Sequence, residues 1–543
     1  MLVLLLLPSL SPAIAADVER SELPSLPGAD PGALGEARPT APPHFAPSPP
    51  PGLASPPNGP AVGASPLPQD LWRGADAHEL ERLLAAAPLP SPSPVLAGLI
   101  ARALAGGDQP SGEEIVLRVS ALERAGRVAE ATELLGRAGA HEPRLLGPYA
   151  LALLASGRVD EACGVQLGEP GTATGTARRE ALLVPAYCAA ARGDAPEAKL
   201  ALQLAHEGGA DIVVASAVLG QRQPAIPKSV GVMDYLFLSL AEKRPTAALA
   251  GRAEPPLLFL LARDETAPAE LRAAAAERAA SLNIIAGEDL ARAYREAAPA
   301  LPKTAESPPA LRARLFATFD NAPSADIRAE SIAALLESAR DQVIKVPIAQ
   351  ALATASAGLV DDPKAASFAE TGIRVAALAG DERSAWAWVD AGGERVANWQ
   401  LLLAATDPFG PRAEAALLEG VELAMKGGLP PALLHRLVTV LDALDYDVPV
   451  PLRDEAGKTP QPGDGDLPAT GALTGLKQAA DAGEVGRTVL MVAAVLGPNG
   501  AKGAHLIALG DSLHALKRIG LDAEARRLGF EALYAHWPSR RKA

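Results

Sequence analysis

Five short stretches of the chain share a pattern that is typical of the corner between two antiparallel helices. In each stretch a Gly is followed five residues later by Ala, and in four of them Glu precedes that Ala. The stretches are 126–131, 157–162, 193–198, 520–525 and, with Ser in place of Glu, 380–385. A Gly can end a helix in a left-handed turn, and a small Ala lets the next helix pack closely. The pattern therefore predicts helical hairpins in several parts of the chain.

The composition favours helices over strands. Hydrophobic residues make up 48% of the 543 residues, but aromatic residues make up only 3%. A core of this kind depends on Ala, Leu and Val, and Ala and Leu favour helix while Ala brings helix axes close together. Strands and sheets need more β-branched and aromatic residues than most of this chain contains. We therefore expect an all-α protein.

The spacing of the corners indicates a repeat. Gly126 and Gly157 are 31 residues apart, and Gly157 and Gly193 are 36 apart, which brackets a 34-residue period. The stretches 120–131 and 513–525 resemble the helix-turn-helix of a tetratricopeptide repeat. The family's Trp, the Tyr after its Gly and its closing Pro are mostly absent here. The resemblance implies a right-handed α-solenoid of helical hairpins, a fold that offers extended binding surfaces.

Shifts in composition divide the chain into five parts. We expect a signal peptide over 1–15, a Pro-rich disordered linker over 16–69, and a helical-repeat solenoid over 70–446. A mobile loop rich in Pro, Asp and Gly is expected over 447–469, followed by C-terminal helical repeats and a cap over 470–543. The linker assignment rests on 15 Pro among the 45 residues of 24–68, because Pro removes backbone donors and blocks helix. Whether 224–379 continues the repeat is left open by its weaker periodicity.

The N-terminus predicts export. Residues 2–7 form an apolar run, and Ala13-Ile14-Ala15 matches a small-x-small cleavage pattern, so cleavage is expected after Ala15. No Lys or Arg precedes the run, so either translation starts upstream or the α-amino group supplies the positive charge. Beyond it, no stretch of about 18 uninterrupted apolar residues predicts a transmembrane helix. The bacterial style of the signal predicts a periplasmic location.

The two cysteines lie in neighbouring predicted hairpins. Cys163 and Cys188 are 25 residues apart. In an oxidising compartment they can form a disulfide. The alternative is that both are small buried hydrophobic residues, as free Cys commonly is.

The sequence carries no convincing catalytic, cofactor or metal motif. The net charge of −14 argues against nucleic-acid binding. The stretch 495–503 resembles a phosphate-binding loop, but Lys502 follows the first Gly at the fifth position and Ser or Thr is missing. An apolar helix ended by Gly497-Pro498 explains it better. The eight His show no metal-ligand spacing, so we predict no metal, no cofactor and no catalytic residues.

A cluster of tryptophans is the best candidate for a binding site. Trp386, Trp388 and Trp399 lie within 14 residues in a chain that has only five Trp. Because Trp386 and Trp388 are two residues apart, they cannot share a helix face, so at least one is expected to line a concave surface where aromatic residues anchor partners. Arg383 and Arg395, with Glu394, are candidates for polar contacts. The alternative is a bulky plug between Ala-rich helices.

These observations predict a non-catalytic periplasmic scaffold that binds protein or peptide partners in a cell-envelope or motility assembly. The first alternative is an accessory regulator of peptidoglycan enzymes. The second is an enzyme with an unrecognised site, since the helical domain of a lytic transglycosylase has a similar architecture. A scaffold predicts a groove bearing charged or aromatic side chains, whereas an enzyme predicts a deep pocket with paired carboxylates or a Ser/His pair.

Overall fold

The computed structural model describes residues 65–107, 112–138, 143–167, 176–241, 245–339, 342–362, 367–465 and 467–537. The predicted signal peptide (1–15) and residues 16–64 of the predicted Pro-rich linker (16–69) lie outside the described residues. In these ranges the backbone forms helices joined by turns, with an isolated parallel bridge between Val230 and Ala253. The prediction of an all-α protein is confirmed for the part of the chain that the structure describes.

The helices follow one another with short connections. The first fourteen are α1 (Ala77–Ala86), α2 (Pro94–Ala105), α3 (Glu113–Arg124), α4 (Val128–Ala138), α5 (Pro143–Ala155), α6 (Val159–Gly164), α7 (Thr176–Ala181), α8 (Val184–Ala191), α9 (Ala195–Glu207), α10 (Val213–Leu219), α11 (Val232–Leu240), α12 (Pro255–Leu261), α13 (Ala269–Ser281) and α14 (Gly287–Ala297). The remainder are α15 (Pro308–Asp320), α16 (Ala325–Ser338), α17 (Gln342–Ala357), α18 (Ala369–Ala379), α19 (Glu382–Gly392), α20 (Ala397–Thr406), α21 (Ala413–Met425), α22 (Pro431–Ala443), α23 (Val450–Gly457), α24 (Thr470–Asp481), α25 (Val485–Leu496), α26 (Gly500–Gly503), α27 (Leu506–Arg518) and α28 (Asp522–Tyr534).

The predicted corner glycines all adopt the left-handed conformation. The φ angles are 71° at Gly126, 77° at Gly157, 81° at Gly193, 85° at Gly380 and 80° at Gly520. A residue with a Cβ is strained at such an angle. Each of these glycines separates two helices that run in sequence, so the hairpin corners predicted from the Gly…Ala spacing are confirmed.

The middle of the chain is helical in the part that the structure describes. Residues 224–379 contain α11 to α18, and Ser324 caps α16 by accepting a hydrogen bond from the backbone N–H of Ile327 at 3.4 Å. The helix α17 spans Gln342–Ala357, although Pro347 lies within it. Consecutive helices of this part, from α13 to α19, pack against each other in order.

One predicted loop contains a helix. The segment 447–469 was expected to be irregular because of its Pro, Gly and Asp content, but Val450–Gly457 forms α23. Pro451 lies in the first turn, where its missing N–H has no intrahelical partner to lose. Leu452 and Ala456, four residues apart, are both buried. The expectation of an irregular segment is therefore wrong for these eight residues.

Helices from the beginning and the end of the described chain contact each other. The helix α2 packs against α25 and α28, and α1 packs against α25. The backbone N–H of Val95, in the first turn of α2, donates a hydrogen bond to Glu531 of α28 at 3.1 Å. Arg102 of α2 forms an ion pair with Glu524 of α28, which also accepts a hydrogen bond from the backbone N–H of Ser65 at 3.1 Å. The core therefore joins segments that are more than 400 residues apart.

Membrane-spanning helices were sought among the described residues. In that part of the chain, no helix combines the length and the apolar character that crossing a bilayer requires.

Candidate functional site

A cleft lies between α19 and the turn that joins α20 to α21. Its volume is ≈ 540 Å³, which is within the range of small-molecule and peptide side-chain sites. We call it the Trp386 cleft. It is lined by Glu382, Arg383, Trp386, Ala387, Asp390, Asp407, Gly410, Pro411, Arg412 and Ala413. A second cavity, beside Leu89 and Asn283, holds only ≈ 10 Å³, about the space of one water.

The start of α19 fixes which side chains face the cleft. Gly380 ends α18 in the left-handed conformation, and Asp381 caps α19 by accepting a hydrogen bond from the backbone N–H of Ser384 at 3.0 Å. The helix therefore begins at Glu382. Residues four apart on a helix share a face, so Glu382, Trp386 and Asp390 form one row along the cleft wall.

Trp386 is half-buried, and its indole forms part of the cleft wall. The guanidinium of Arg412 lies 5.4 Å from the centroid of the indole ring, a cation–π contact. Arg412 also donates two hydrogen bonds to Asp390, at 2.9 and 2.8 Å. Such a two-bond pair is more ordered than a single contact between exposed charges. It holds Arg412 and Trp386 together at the opening of the cleft.

A pair of acidic side chains lies at the other end of the row. The carboxyl groups of Glu382 and Asp407 both line the cleft, and they are close enough for the negative charge of Asp407 to act on Glu382. Arg526 of α28 donates a hydrogen bond from Nη1 to Asp407 Oδ1 at 2.6 Å. Burial of the carboxyl group, followed by the negative charge of Asp407, raises the pKa of Glu382, although Arg526 opposes the shift. A negative charge beside a carboxyl group favours the protonated form of that group.

The other two tryptophans of the predicted cluster belong to the core. Trp388 is 1% exposed and Trp399 is 3% exposed. A Cβ at Gly372 would lie 2.3 Å from the Trp388 ring, so this ring rests directly on the backbone of α18. Trp399 lies 6.2 Å from Tyr534, centroid to centroid, between α20 and α28. Trp388 and Trp399 therefore fill space between helices, as one sequence-based alternative proposed. Trp386 lines an open surface, as the other alternative proposed for at least one of the tryptophans.

The two predicted arginines have different surroundings. Arg383 is exposed and lines the Trp386 cleft. Arg395 and Glu394 are exposed in the 3₁₀ turn Gly393–Val396, and Arg395 Nε donates to the backbone oxygen of Gly392 at 3.4 Å. That turn lies at the opposite end of α19 from Glu382. Arg395 is therefore not among the residues that line the cleft.

The two cysteines are joined in a disulfide. Cys163 belongs to α6 and Cys188 to α8, so the bond links two neighbouring hairpins. The chain segment between them contains α7 and closes a loop with a sequence separation of 25 residues. Closing a loop of this length stabilises a fold by about 3.5 kcal/mol in the chain-entropy model.

The sequence stretch that resembles a phosphate-binding loop follows a helix. The apolar residues before it form α25, which ends at Gly497 with a φ of 68°. This is the helix ended by Gly-Pro that the spacing of Lys502 favoured. Among the described residues, no group of three or more His, Cys, Asp and Glu side chains is arranged to hold a metal ion.

Several residues of the cleft were not among the sequence candidates. Asp390, Asp407 and Arg412 are ordinary charged residues in the sequence, and Arg526 lies 119 residues after Asp407. The spacing of Glu382 and Trp386 on one helix was the available signal, but the contacts with α20 and α28 depend on the tertiary fold.

Comparisons of the chain with protein-family models, with curated proteins and with solved structures give no match. The chemistry of the cleft therefore rests on its own geometry.

Proposed function

We propose that this protein is an exported, non-catalytic scaffold that binds a protein or peptide partner through the Trp386 cleft. The observation that carries the proposal is a half-exposed indole in an open cleft with charged side chains on both sides. We further propose that the hairpins stack as a tetratricopeptide-like, right-handed solenoid. The ordered packing of consecutive helices from α13 to α19, and the left-handed glycines at the corners, support a stack of hairpins.

The cleft has the features of a binding hot spot. Trp and Arg are the residues that most often contribute large parts of the binding energy at protein interfaces. The guanidinium of Arg412 lies over the ring of Trp386, and Asp390 orders Arg412 through two hydrogen bonds. A side chain that is already ordered loses less entropy when a partner binds. Phe409, which is 68% exposed on the turn beside the cleft, adds apolar surface next to it.

The disulfide supports an extracytoplasmic location. Disulfides persist in oxidising compartments such as the periplasm and are rare in the reducing cytosol. Together with the signal-like N-terminus, the Cys163–Cys188 bond favours the periplasm. A cell-envelope or motility assembly is the setting that we propose for the partner, with an accessory role toward peptidoglycan enzymes as the alternative within the same class.

One observation favours an enzyme as a second candidate. The proximity of the carboxyl groups of Glu382 and Asp407 resembles the acid pairs that catalytic sites use. Asp407, however, is paired with Arg526, whose Nη1 donates to Asp407 Oδ1 at 2.6 Å, so one carboxylate of the pair already has a structural partner. We therefore rank binding above glycoside hydrolysis.

Selection from a random peptide library displayed on phage tests the proposal. The mature wild-type protein and a Leu200→Ala variant, which removes a 60% exposed apolar side chain on α9, are expected to enrich the same peptides. Trp386→Ala is expected to lose that enrichment while its circular dichroism and Tm stay close to those of the wild type. Equal enrichment by Trp386→Ala, or none by the wild type, would refute binding at this cleft. Hydrolysis of purified peptidoglycan that is lost in Glu382→Gln would favour the enzyme.

A further inference from the structure

The charges in and beside the Trp386 cleft cancel. Three carboxylates are matched by three guanidinium groups, and the six residues are Glu382, Asp390, Asp407, Arg383, Arg412 and Arg526. A ligand that carries a charge of either sign therefore meets like charges as well as opposite ones, and it competes with ion pairs that the protein has already made. The balance favours an uncharged ligand.

The hydrogen-bonding groups of the cleft are not balanced in the same way. Asp390 accepts from Arg412 on both of its oxygens, at 2.9 and 2.8 Å. Asp407 accepts from Arg526 on Oδ1, and its Oδ2 lies so close to Gly410 that a Cβ there would be 2.7 Å away. A guanidinium has five N–H donors, and Arg412 gives two of them to Asp390. The cleft therefore offers a ligand donors more readily than acceptors.

The remaining surface of the cleft is apolar. The half-buried indole of Trp386 forms part of the wall, and Ala387, Pro411 and Ala413 lie beside it. Proline-rich segments dock on aromatic surfaces of this kind. A Pro has no backbone N–H, so such a segment presents carbonyl acceptors and needs only donors in return. An ordinary peptide brings N–H groups that need acceptors as well.

Resting on the proposed binding role of this cleft, we infer that the segment it binds in a protein partner is uncharged and rich in proline. The proline rings pack on Trp386, and the backbone carbonyls accept hydrogen bonds from Arg383 and Arg412, which are both exposed at the rim. A proline-rich segment is extended before it binds, so it loses little conformational entropy on docking.

The chain itself contains a stretch of this chemistry, which supplies a probe. Residues 39–64 include ten Pro and no Asp, Glu, Lys or Arg. The probe is Ac-Ala-Pro-Ser-Pro-Pro-Pro-Gly-NH₂, which has the sequence of residues 46–52. Because the protein's own stretch is a potential competitor, each measurement is also made on a variant in which Pro47, Pro49, Pro50 and Pro51 are replaced by Ser.

Isothermal titration calorimetry on the mature full-length protein tests the inference. In a comparison peptide the last three Pro are Ala, and we expect it to bind about tenfold more weakly, because Ala leaves the free peptide less restricted. Equal affinities of the two peptides, or binding of neither to wild type and Ser variant alike, would overturn the inference.

Charge is tested separately. Replacing the Ser of the probe by Lys or by Glu is expected to change its affinity by less than about threefold, and the affinity of the probe itself should not depend on salt concentration. A gain of about tenfold for either charged peptide would overturn the inferred preference for an uncharged ligand.

Variants separate this inference from the binding role itself. Trp386→Ala should lose the proline peptide, Trp386→Phe should keep part of its affinity, and Leu200→Ala should bind it as the wild type does. If phage selection enriches peptides that depend on Trp386 but lack Pro, the proposed function stands and the proline preference is wrong. If neither selection nor calorimetry finds a peptide, both fail. If a trimer of N-acetylglucosamine binds at Trp386 and the peptides do not, the ligand is a glycan and the inferred proline-rich partner is wrong.

Discussion

The buried ion pair between α13 and α15 gives the sharpest test of the packing. Glu277 and Arg312 are both buried, and Arg312 Nε donates to Glu277 Oε1 at 2.7 Å. Tyr294 of α14 donates to the same carboxyl oxygen, also at 2.7 Å, and Arg312 Nη1 donates to the backbone oxygen of Ser338 at 3.2 Å. One carboxylate therefore organises side chains from three consecutive helices.

Replacing Glu277 by Gln removes the charge and keeps the shape, so Arg312 remains buried without its counterion. Breaking one partner of a buried pair costs about 3–5 kcal/mol. The entropy of unfolding is about 2.1 cal/mol/K per residue, which for the roughly 450 described residues amounts to about 1 kcal/mol/K. If these residues unfold in one transition, we expect Tm to fall by about 3–5 °C.

Differential scanning calorimetry measures this shift, and a double variant supplies the control. Glu277→Leu with Arg312→Met removes both charges, so it should be more stable than Glu277→Leu alone. A Glu277→Gln variant whose Tm lies within 1 °C of the wild type would refute the reasoning, since the carboxylate would then contribute no net stabilisation. A double variant that is less stable than Glu277→Leu alone would also refute the reasoning.

Two further predictions concern the corners and the buried acids. Gly126→Ala and Gly193→Ala both place a Cβ at a positive φ, but at Gly126 that Cβ would lie 2.7 Å from Ile284, whereas at Gly193 it meets open space. Chemical denaturation should show a loss of about 1–2 kcal/mol for Gly193→Ala and about 1–3 kcal/mol more for Gly126→Ala; equal losses would contradict the close packing. Burial raises the pKa of Glu123 to about 8 and that of Glu180 to about 7, from 4.5, so the folded protein keeps protons that the unfolded chain releases. This stabilisation is complete below about pH 4.5 and is lost as pH rises through 7 to 8. Glu123→Gln should flatten the profile of Tm between pH 5 and pH 9, and a profile unchanged from wild type would speak against the buried acid.

The local parts of the fold could be predicted from the sequence. A Gly with Glu and Ala four and five residues later specifies a left-handed corner through residues that are close in sequence. Ser324, placed before a helical pattern of apolar residues, specifies the start of a helix. The Pro content of the segment led us to expect no helix at α23, because composition alone does not show where in a helix each Pro would lie. Pro449 and Pro451 lie at the cap and in the first turn, where Pro is compatible with a helix.

The sequence could identify only some of the residues of the candidate site. The helical period separates Trp386 from Trp388, but it does not say which of them faces the core. That choice is made by Gly372, whose missing side chain leaves room for Trp388. The acid pair of Glu382 with Asp407, and its neighbour Arg526, depend on contacts between helices that are distant in sequence. No local pattern encodes such contacts.

The hydrogen bond from the first turn of α2 to Glu531 also makes the N-terminal part of the fold depend on the far end of the chain. The donor, Val95, precedes its acceptor by 436 residues. A chain that stops before α28 gives α2 neither this cap nor the α28 side chains that pack against it. A product truncated before α28 is therefore expected to leave the N-terminal helices incompletely packed.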